Sequence, residues 1–355
     1  MSLLFSPLTL RSVTLRNRLW VSPMCMYSAV EGMPGDWHHV HLPQFADGGA
    51  GLVVAEATAV VPEDRISPHD TGLWNDAQRD AWAPVVRSIR ARGAHAGIQL
   101  AHAGRKASTW WPWAEQQGSV PASEGGWPTV APSAIAFEGF AAPSALDEAG
   151  IEAVVTGFAD AARRALDAGF EVLEVHGAHG YLLHQFLSPL SNQRTDEYGG
   201  SLQNRARLLL RVVQAVRSVA GEGVPLLVRI SATDHAEGGF VPEEAAIVGG
   251  WAIEYGADLI DVSSGGLVLH QQIDLHPGYQ VPLAEIVRQD GRVATTAVGL
   301  ITVADQAEQV IATGAADAVF AGREWLRDPH FGLRAAHELG AEIAWPPQYR
   351  RARWR

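Results

Sequence analysis

Eight short runs rich in β-formers recur along this chain, each followed by a longer segment, and that alternation limits the folds open to it. The runs are Leu19–Ser22, Leu52–Ala55, Ala96–Leu100, Val172–His176, Leu226–Ile230, Leu259–Val262, Ala294–Val298 and Ala318–Phe320. Between them, helical periodicity appears over Asp76–Arg92, Ile151–Ala168, Gln203–Ala220, Pro242–Tyr255 and Val303–Ala312. Strands alternating with helices build βα units and a parallel sheet. Glycines stand where helices should stop, at Gly93, Gly169, Gly256 and Gly314, as C-terminal caps. Eight such units fit a closed (β/α)8 TIM barrel better than an open doubly wound sheet. At 355 residues the chain fits one barrel domain spanning 1–355, because such barrels run from roughly 200 to over 400 residues.

The one irregular region runs from His102 to Leu146, with Trp110, Trp111, Trp113 and Trp127 among prolines and serines. A loop this long in a compact domain is usually a lid or binding loop. Here it follows the third strand, at the barrel face where active sites form. It is expected to cap the site.

Charge and cysteine count narrow the function classes. The 27 basic against 39 acidic residues leave a formal charge of −12, and no basic stripe precedes the last six residues, so nucleic acid is not an expected partner. One cysteine excludes an internal disulfide and a four-cysteine iron–sulfur site, and suits a reducing cytoplasm. The opening residues lack the unbroken apolar run of a signal peptide. No apolar stretch is long enough to span a membrane, so a cytoplasmic enzyme is expected.

The densest chemistry lies in EVHGAHGY, residues 174–181, where a strand end delivers His176, His179 and Tyr181. Two imidazoles can stabilise negative charge on one carbonyl oxygen, and a phenol can protonate an enolate-like carbon. The same spacing also suits a metal half-site or ordinary loop polarity, although zinc needs further ligands and only His184 is near in sequence. Arg229 is a cation inside an apolar strand and must be paired. Gln99 ends the third strand, and the lone Cys25 ends the first. Glycines at Gly299 and Gly322 with Arg323, after the last two strands, suit a phosphate. No GxGxxG follows a strand, so a Rossmann dinucleotide site is not expected.

HGAHGYLLHQFLSPLSNQRTDEYGGSLQNRARLLLRVV, from His176 to Val213, resembles the long signature of the old yellow enzyme family, and the resemblance extends over nearly the whole chain. It implies a (β/α)8 barrel that binds FMN non-covalently at the C-terminal strand ends. NADPH or NADH serves as reductant, and the activity implied is reduction of the activated C=C bond of α,β-unsaturated carbonyl compounds. His176 and His179 would bind the substrate's activating oxygen and Tyr181 would donate the proton. Ser22, Pro23 and Met24 would contact the isoalloxazine, with Cys25 tuning its redox behaviour. Ala57, Gln99 and Arg229 would line the flavin, and Val298, Gly299, Gly322 and Arg323 its phosphate end. Tyr27 would reach the substrate or the pocket wall. Cys25 with Tyr27 favours the family's small bacterial branch, which includes xenobiotic reductase A. In that branch a C-terminal tail enters a neighbouring subunit's site, so residues 346–355, with Arg351 and Trp354, imply a homodimer or homotetramer. The resemblance implies no metal. An FMN barrel reductase acting on other oxidants such as nitro compounds, quinones or xenobiotics is the alternative, and relatives carrying an iron–sulfur cluster, a non-catalytic flavin barrel and a zinc hydrolase built on the two histidines are the rival readings.

Overall fold

A computed structural model describes residues 2–354. All eight expected runs form strands: β1 (Leu19–Val21), β2 (Leu52–Ala59), β3 (His95–Ala101), β4 (Val172–Gly177), β5 (Leu226–Ser231), β6 (Leu259–Ser263), β7 (Thr295–Ala297) and β8 (Ala318–Ala321). They pair in parallel, each with its sequence neighbour, and β8 returns to β1 to close the barrel. The seam is set by Val319↔Leu19, Phe320↔Trp20 and Ala321↔Val21, and by a hydrogen bond from Ser22 N to Ala321 O of 2.9 Å. The fold is a (β/α)8 TIM barrel, as the alternation requires.

The helices hold the outer ring. The expected ones appear as Asp76–Arg90, Glu148–Ala168, Leu202–Ala220, Pro242–Glu254 and Ala304–Ala312. Their starts follow local chemistry. Asn75 accepts from Gln78 N at 2.9 Å, while the Gln78 side chain accepts from Asn75 N, a reciprocal capping box. Asp147 caps Gly150 N at 2.8 Å. Gly169 closes its helix at φ 96°, where a Cβ would be strained. Helices at Asp36–Asp47 and Val281–Gly291 went unread in the sequence. The first hides its pattern behind three histidines and an internal Pro43; His38 and His41 are buried.

The barrel floor, at the N-terminal strand ends, is apolar. A hairpin of Leu8–Leu10 and Val13–Leu15 covers it, burying Leu10 and Leu15 against Trp20, Leu52, Val54, Val172, Leu227, Leu259 and Phe320. Trp20 meets Phe320 edge-on at 5.4 Å. The long segment after β3 stands at the opposite end. It carries short turns and a two-residue strand pair, Val130–Ala131 with Ser144–Ala145. Its tryptophans are anchored rather than loose: Trp127 Nε1 donates to Glu63 O at 2.7 Å, and the Arg65 guanidinium lies 4.7 Å from the same ring.

Candidate active site

At the C-terminal strand ends a cavity of about 290 Å³ opens. Its walls hold every flavin-site residue expected above: Ser22, Pro23, Met24, Cys25, Ala57, Gln99, Arg229, Val298, Gly299, Gly322 and Arg323, together with His176, His179 and Tyr181. Tyr27, at φ 48°, is not among the lining residues; its ring meets Trp113 edge-on at 5.6 Å, beside the cavity.

A bulge explains how β2 presents its small wall residue. Against β3, register slips between Ala55 and Ala57, so Glu56 is the extra residue. Its carboxylate turns away to His38 Nε2 at 3.1 Å and accepts from Met26 N at 2.9 Å, tying the Cys25 segment down. Ala57 is left facing the cavity.

The His–His–Tyr cluster sits on one wall. His176 stands next to the last residue of β4, and its ring lies 5.3 Å from that of His179 and 5.1 Å from that of Tyr181. His179 adopts φ 58°, held by its N–H on Ser231 Oγ at 2.9 Å. Its Nε2 meets Ser263 Oγ at 2.7 Å, leaving Nδ1 without a protein partner among the described residues. Burial, and then the Arg229 charge, hold both imidazoles well below the usual histidine range, so they are neutral donors at pH 7. Burial pushes the Tyr181 phenol and the Cys25 thiol up, so both keep their protons. His184 does not complete a metal site. It is committed to Gly180 N–H at 2.8 Å and to Asp234 Oδ1 at 2.9 Å, and no cluster of three metal-ligating side chains occurs among the described residues.

Beneath these groups the barrel interior is charged. Arg229 Nε lies 3.0 Å from Asp261 Oδ2, and Thr296 Oγ1 donates to Asp261 Oδ1 at 2.5 Å. Gln99 donates to Glu174 Oε1 at 2.7 Å. Among the described residues Asp261 alone pairs with the guanidinium, and burial with the Asp261 charge pushes Glu174 up. The terminal nitrogens of Arg229 have no protein partner among the described residues, and Ser22 Oγ and His176 Nδ1 are buried without one. Unspent donors beside the apolar Pro23, Met24, Ala57 and Val298 suit a flat heterocycle with a polar, anionic edge. At the other end Gly299, at φ 115°, and Gly322 leave room for close backbone approach, and Arg323 carries no ion pair among the described residues. FMN fits that sequence of surfaces. Sequence reasoning missed Ser263, Tyr279 and Gln280, which also line the cavity; Gln280 accepts from Ser264 Oγ at 2.7 Å and donates to Val298 O.

The tail lies elsewhere. Trp354 stacks on His337 at 4.9 Å and meets Trp345, while Arg351 is exposed. Residues 344–349 share a surface depression with Arg16, Asp47 and Arg92, which precede barrel strands. Neither Arg351 nor Trp354 lines the cavity of its own chain.

Comparison with known proteins agrees with this architecture. The NADH:flavin oxidoreductase / NADH oxidase family matches residues 3–342. An NADPH dehydrogenase of Geobacillus thermodenitrificans is 48% identical, over 100% of this chain and 99% of that protein. One from Listeria innocua is also 48% identical, covering 99% of each. Among solved structures, morphinone reductase superposes with a TM-score of 0.80 at 30% identity, over 98% of this chain and 92% of that one. An old yellow enzyme homologue from Zymomonas mobilis gives 0.77 at 25% identity, over 97% of each. The chain therefore belongs to the NADH:flavin oxidoreductase / NADH oxidase family, as an old yellow enzyme type of oxidoreductase that uses FMN with NAD(P)H as reductant.

Proposed function

We propose that this enzyme reduces the activated C=C bond of α,β-unsaturated carbonyl compounds, with NADPH as the preferred reductant. The observation that carries this reading is the clustering of His176, His179 and Tyr181 on one cavity wall, with both imidazoles neutral and the phenol protonated. When bound, FMN would supply the hydride chemistry that links NAD(P)H to the substrate β-carbon. Ser22, Pro23, Met24, Cys25 and Ala57 would hold the ring, with Gln99 and Arg229 at its polar edge. Val298, Gly299, Gly322 and Arg323 would hold the phosphate end.

The chain's own contribution is to the carbonyl and the α-carbon. His176 and His179 donate hydrogen bonds to the substrate carbonyl oxygen, where charge develops as the β-carbon is reduced. A single donor of this kind is worth about 10²–10³ in rate. Tyr181 delivers its proton to the α-carbon, completing a net trans addition of hydrogen. Tyr27 and the Trp113 ring would bound the substrate side of the pocket. The tail, with Arg351 and Trp354, is proposed to serve a neighbouring subunit of a dimer or tetramer, since it stands clear of its own cavity. The single cysteine, free and undisulfided, supports a reducing, cytoplasmic setting.

Stopped-flow half-reactions test the reading. Purified yellow protein should bleach anaerobically with NADPH and regain its colour with 2-cyclohexenone. Tyr181→Phe should leave the first step intact and slow the second by about 10²–10⁴. Bleaching without recovery by the enone would overturn the substrate class, and loss of bleaching in Tyr181→Phe would overturn its role as proton donor.

A further inference from the structure

One ammonium at the barrel mouth is not used by the chemistry above. Lys106 ends the turn Gly104–Lys106 that follows β3. Its Nζ donates to the carbonyl oxygens of His179 at 2.8 Å and Gly266 at 2.9 Å. It also lies 5.0 Å from the centroid of the Tyr181 ring and 4.9 Å from that of Phe137. No carboxylate pairs with it among the described residues. A cation taken out of water needs compensation. Here it comes from carbonyl dipoles and two aromatic faces alone. A negative charge appears on the ring it faces when the Tyr181 phenol gives up its proton.

We propose that Lys106 is a positioning residue for proton delivery: its ammonium pins the turn that carries His179 and Tyr181, and its charge favours the phenolate that Tyr181 becomes. The step balances simply. The Tyr181 O–H bond breaks as a C–H bond forms at the substrate α-carbon, and solvent later returns the proton to the phenolate. The inference rests on the assignment of Tyr181 as proton donor.

The surrounding charges make this cation matter. Burial, and then the Asp70 carboxylate, oppose ionisation of Tyr181, while Cys25 and Tyr27 stand near it as protonated, neutral groups. His176 and His179 face Lys106 as neutral rings, and Arg105 stands beside it on the same turn. Burial, and then Arg105, lower the Lys106 ammonium to about 8. It is therefore charged at pH 7 and loses its charge as pH rises through about 8. Asp70, raised to about 7 by burial, and Glu174, also raised, are the other groups whose titration approaches this range.

The test is the pH profile of the enone half-reaction in wild type, Lys106→Met and Lys106→Arg, each carrying FMN. Wild type should slow as pH rises through about 8. Lys106→Met should be slower at pH 7 by on the order of tenfold, without that alkaline limb, and with its NADPH half-reaction unchanged. Lys106→Arg should keep most of the rate and carry it to higher pH, because a guanidinium does not titrate there. A wild-type limb that persists in both variants would overturn the proposal and assign the limb to Asp70 or Glu174. Should Lys106→Met fail to retain FMN, Lys106→Arg decides alone, since an unmoved limb in it is also refuting. Tyr181→Phe run in parallel separates the two levels. An undiminished enone step in that variant refutes the proton donor itself, whereas a slowed one with unmoved Lys106 profiles refutes only the role of Lys106.

Discussion

On β1, Trp20 seals the floor, and Ser22, just past the strand end, lines the cavity two residues further on. The same change runs around the barrel, from Val172 to His176 on β4, from Leu227 to Arg229 on β5 and from Leu259 to Ser263 on β6. The floor has an aromatic pair, aliphatic neighbours and a hairpin lid. The mouth holds unpartnered polar atoms: Ser22 Oγ and His176 Nδ1 at the cavity, with Glu174 Oε2 beneath them, are buried without a hydrogen-bond partner among the described residues. Such groups are costly in a protein interior. A site with unsatisfied donors and carboxyls held out of their ordinary range must therefore be stabilised from elsewhere. The comparison teaches that, within a single strand, the two jobs of stability and chemistry are divided by a step of only a few residues.

The largest test of this division is Trp20→Ala. Removing a fully buried indole should destabilise the protein by about 3–5 kcal/mol in urea unfolding, while the folded fraction keeps the wild-type ratio of the two half-reactions. A rate change without a stability change would break the comparison. Next, His179→Ala should slow the enone step by about 10²–10³ yet leave the unfolding midpoint close to wild type. A large loss of stability would mean that its ties to Ser231 and Ser263 hold the fold and not merely the site.

A smaller effect is expected at Glu174. Its carboxyl is raised in the folded state, so the native protein binds more protons than the unfolded chain between the usual carboxylate range and the raised value. Stability then falls as pH rises across that window. Glu174→Gln should flatten this slope in the apoprotein, a change of about 1 kcal/mol or more between the two ends of the window. Thermal unfolding of both proteins at several pH values would check it, and an unchanged slope would locate the excess proton on Asp261 instead. Least affected should be Trp354→Ala, far from both ends of the division. The half-exposed ring should cost the isolated chain about 0.5 kcal/mol or less. Sedimentation of the same variant reports whether the tail engages a neighbouring subunit, by a shift toward smaller species.

The barrel was legible because its strands are short apolar runs bounded by turn residues, a pattern that survives in any order of reading. The His–His–Tyr wall was legible for a similar reason, since His176, His179 and Tyr181 are close in sequence as well as in space. Lys106 was not. Its partners are backbone carbonyls at His179 and Gly266, which leave no mark on residue type. Gln280 reaches the cavity from a segment without periodicity and acts through Ser264 and a carbonyl of Val298. The helix at Asp36–Asp47 escaped because its buried face is built partly of imidazole, with His38 spent on Glu56. The Glu56 bulge itself is an offset between two strands, invisible in either one alone.

The seam between β8 and β1 has a consequence for biosynthesis. Ser22 to Cys25 and Ala321 to Arg323 share the cavity, yet almost the entire chain lies between them. A ribosome that has released β1 must complete seven further strands before the opposite wall of the cavity exists. Until then the first strand has an open edge on one side, and Trp20 lacks its partner Phe320. A complete cavity is thereby a mark of finished synthesis, for a nascent chain halted before Ala318 has neither a closed cylinder nor the wall from Ala321 to Arg323.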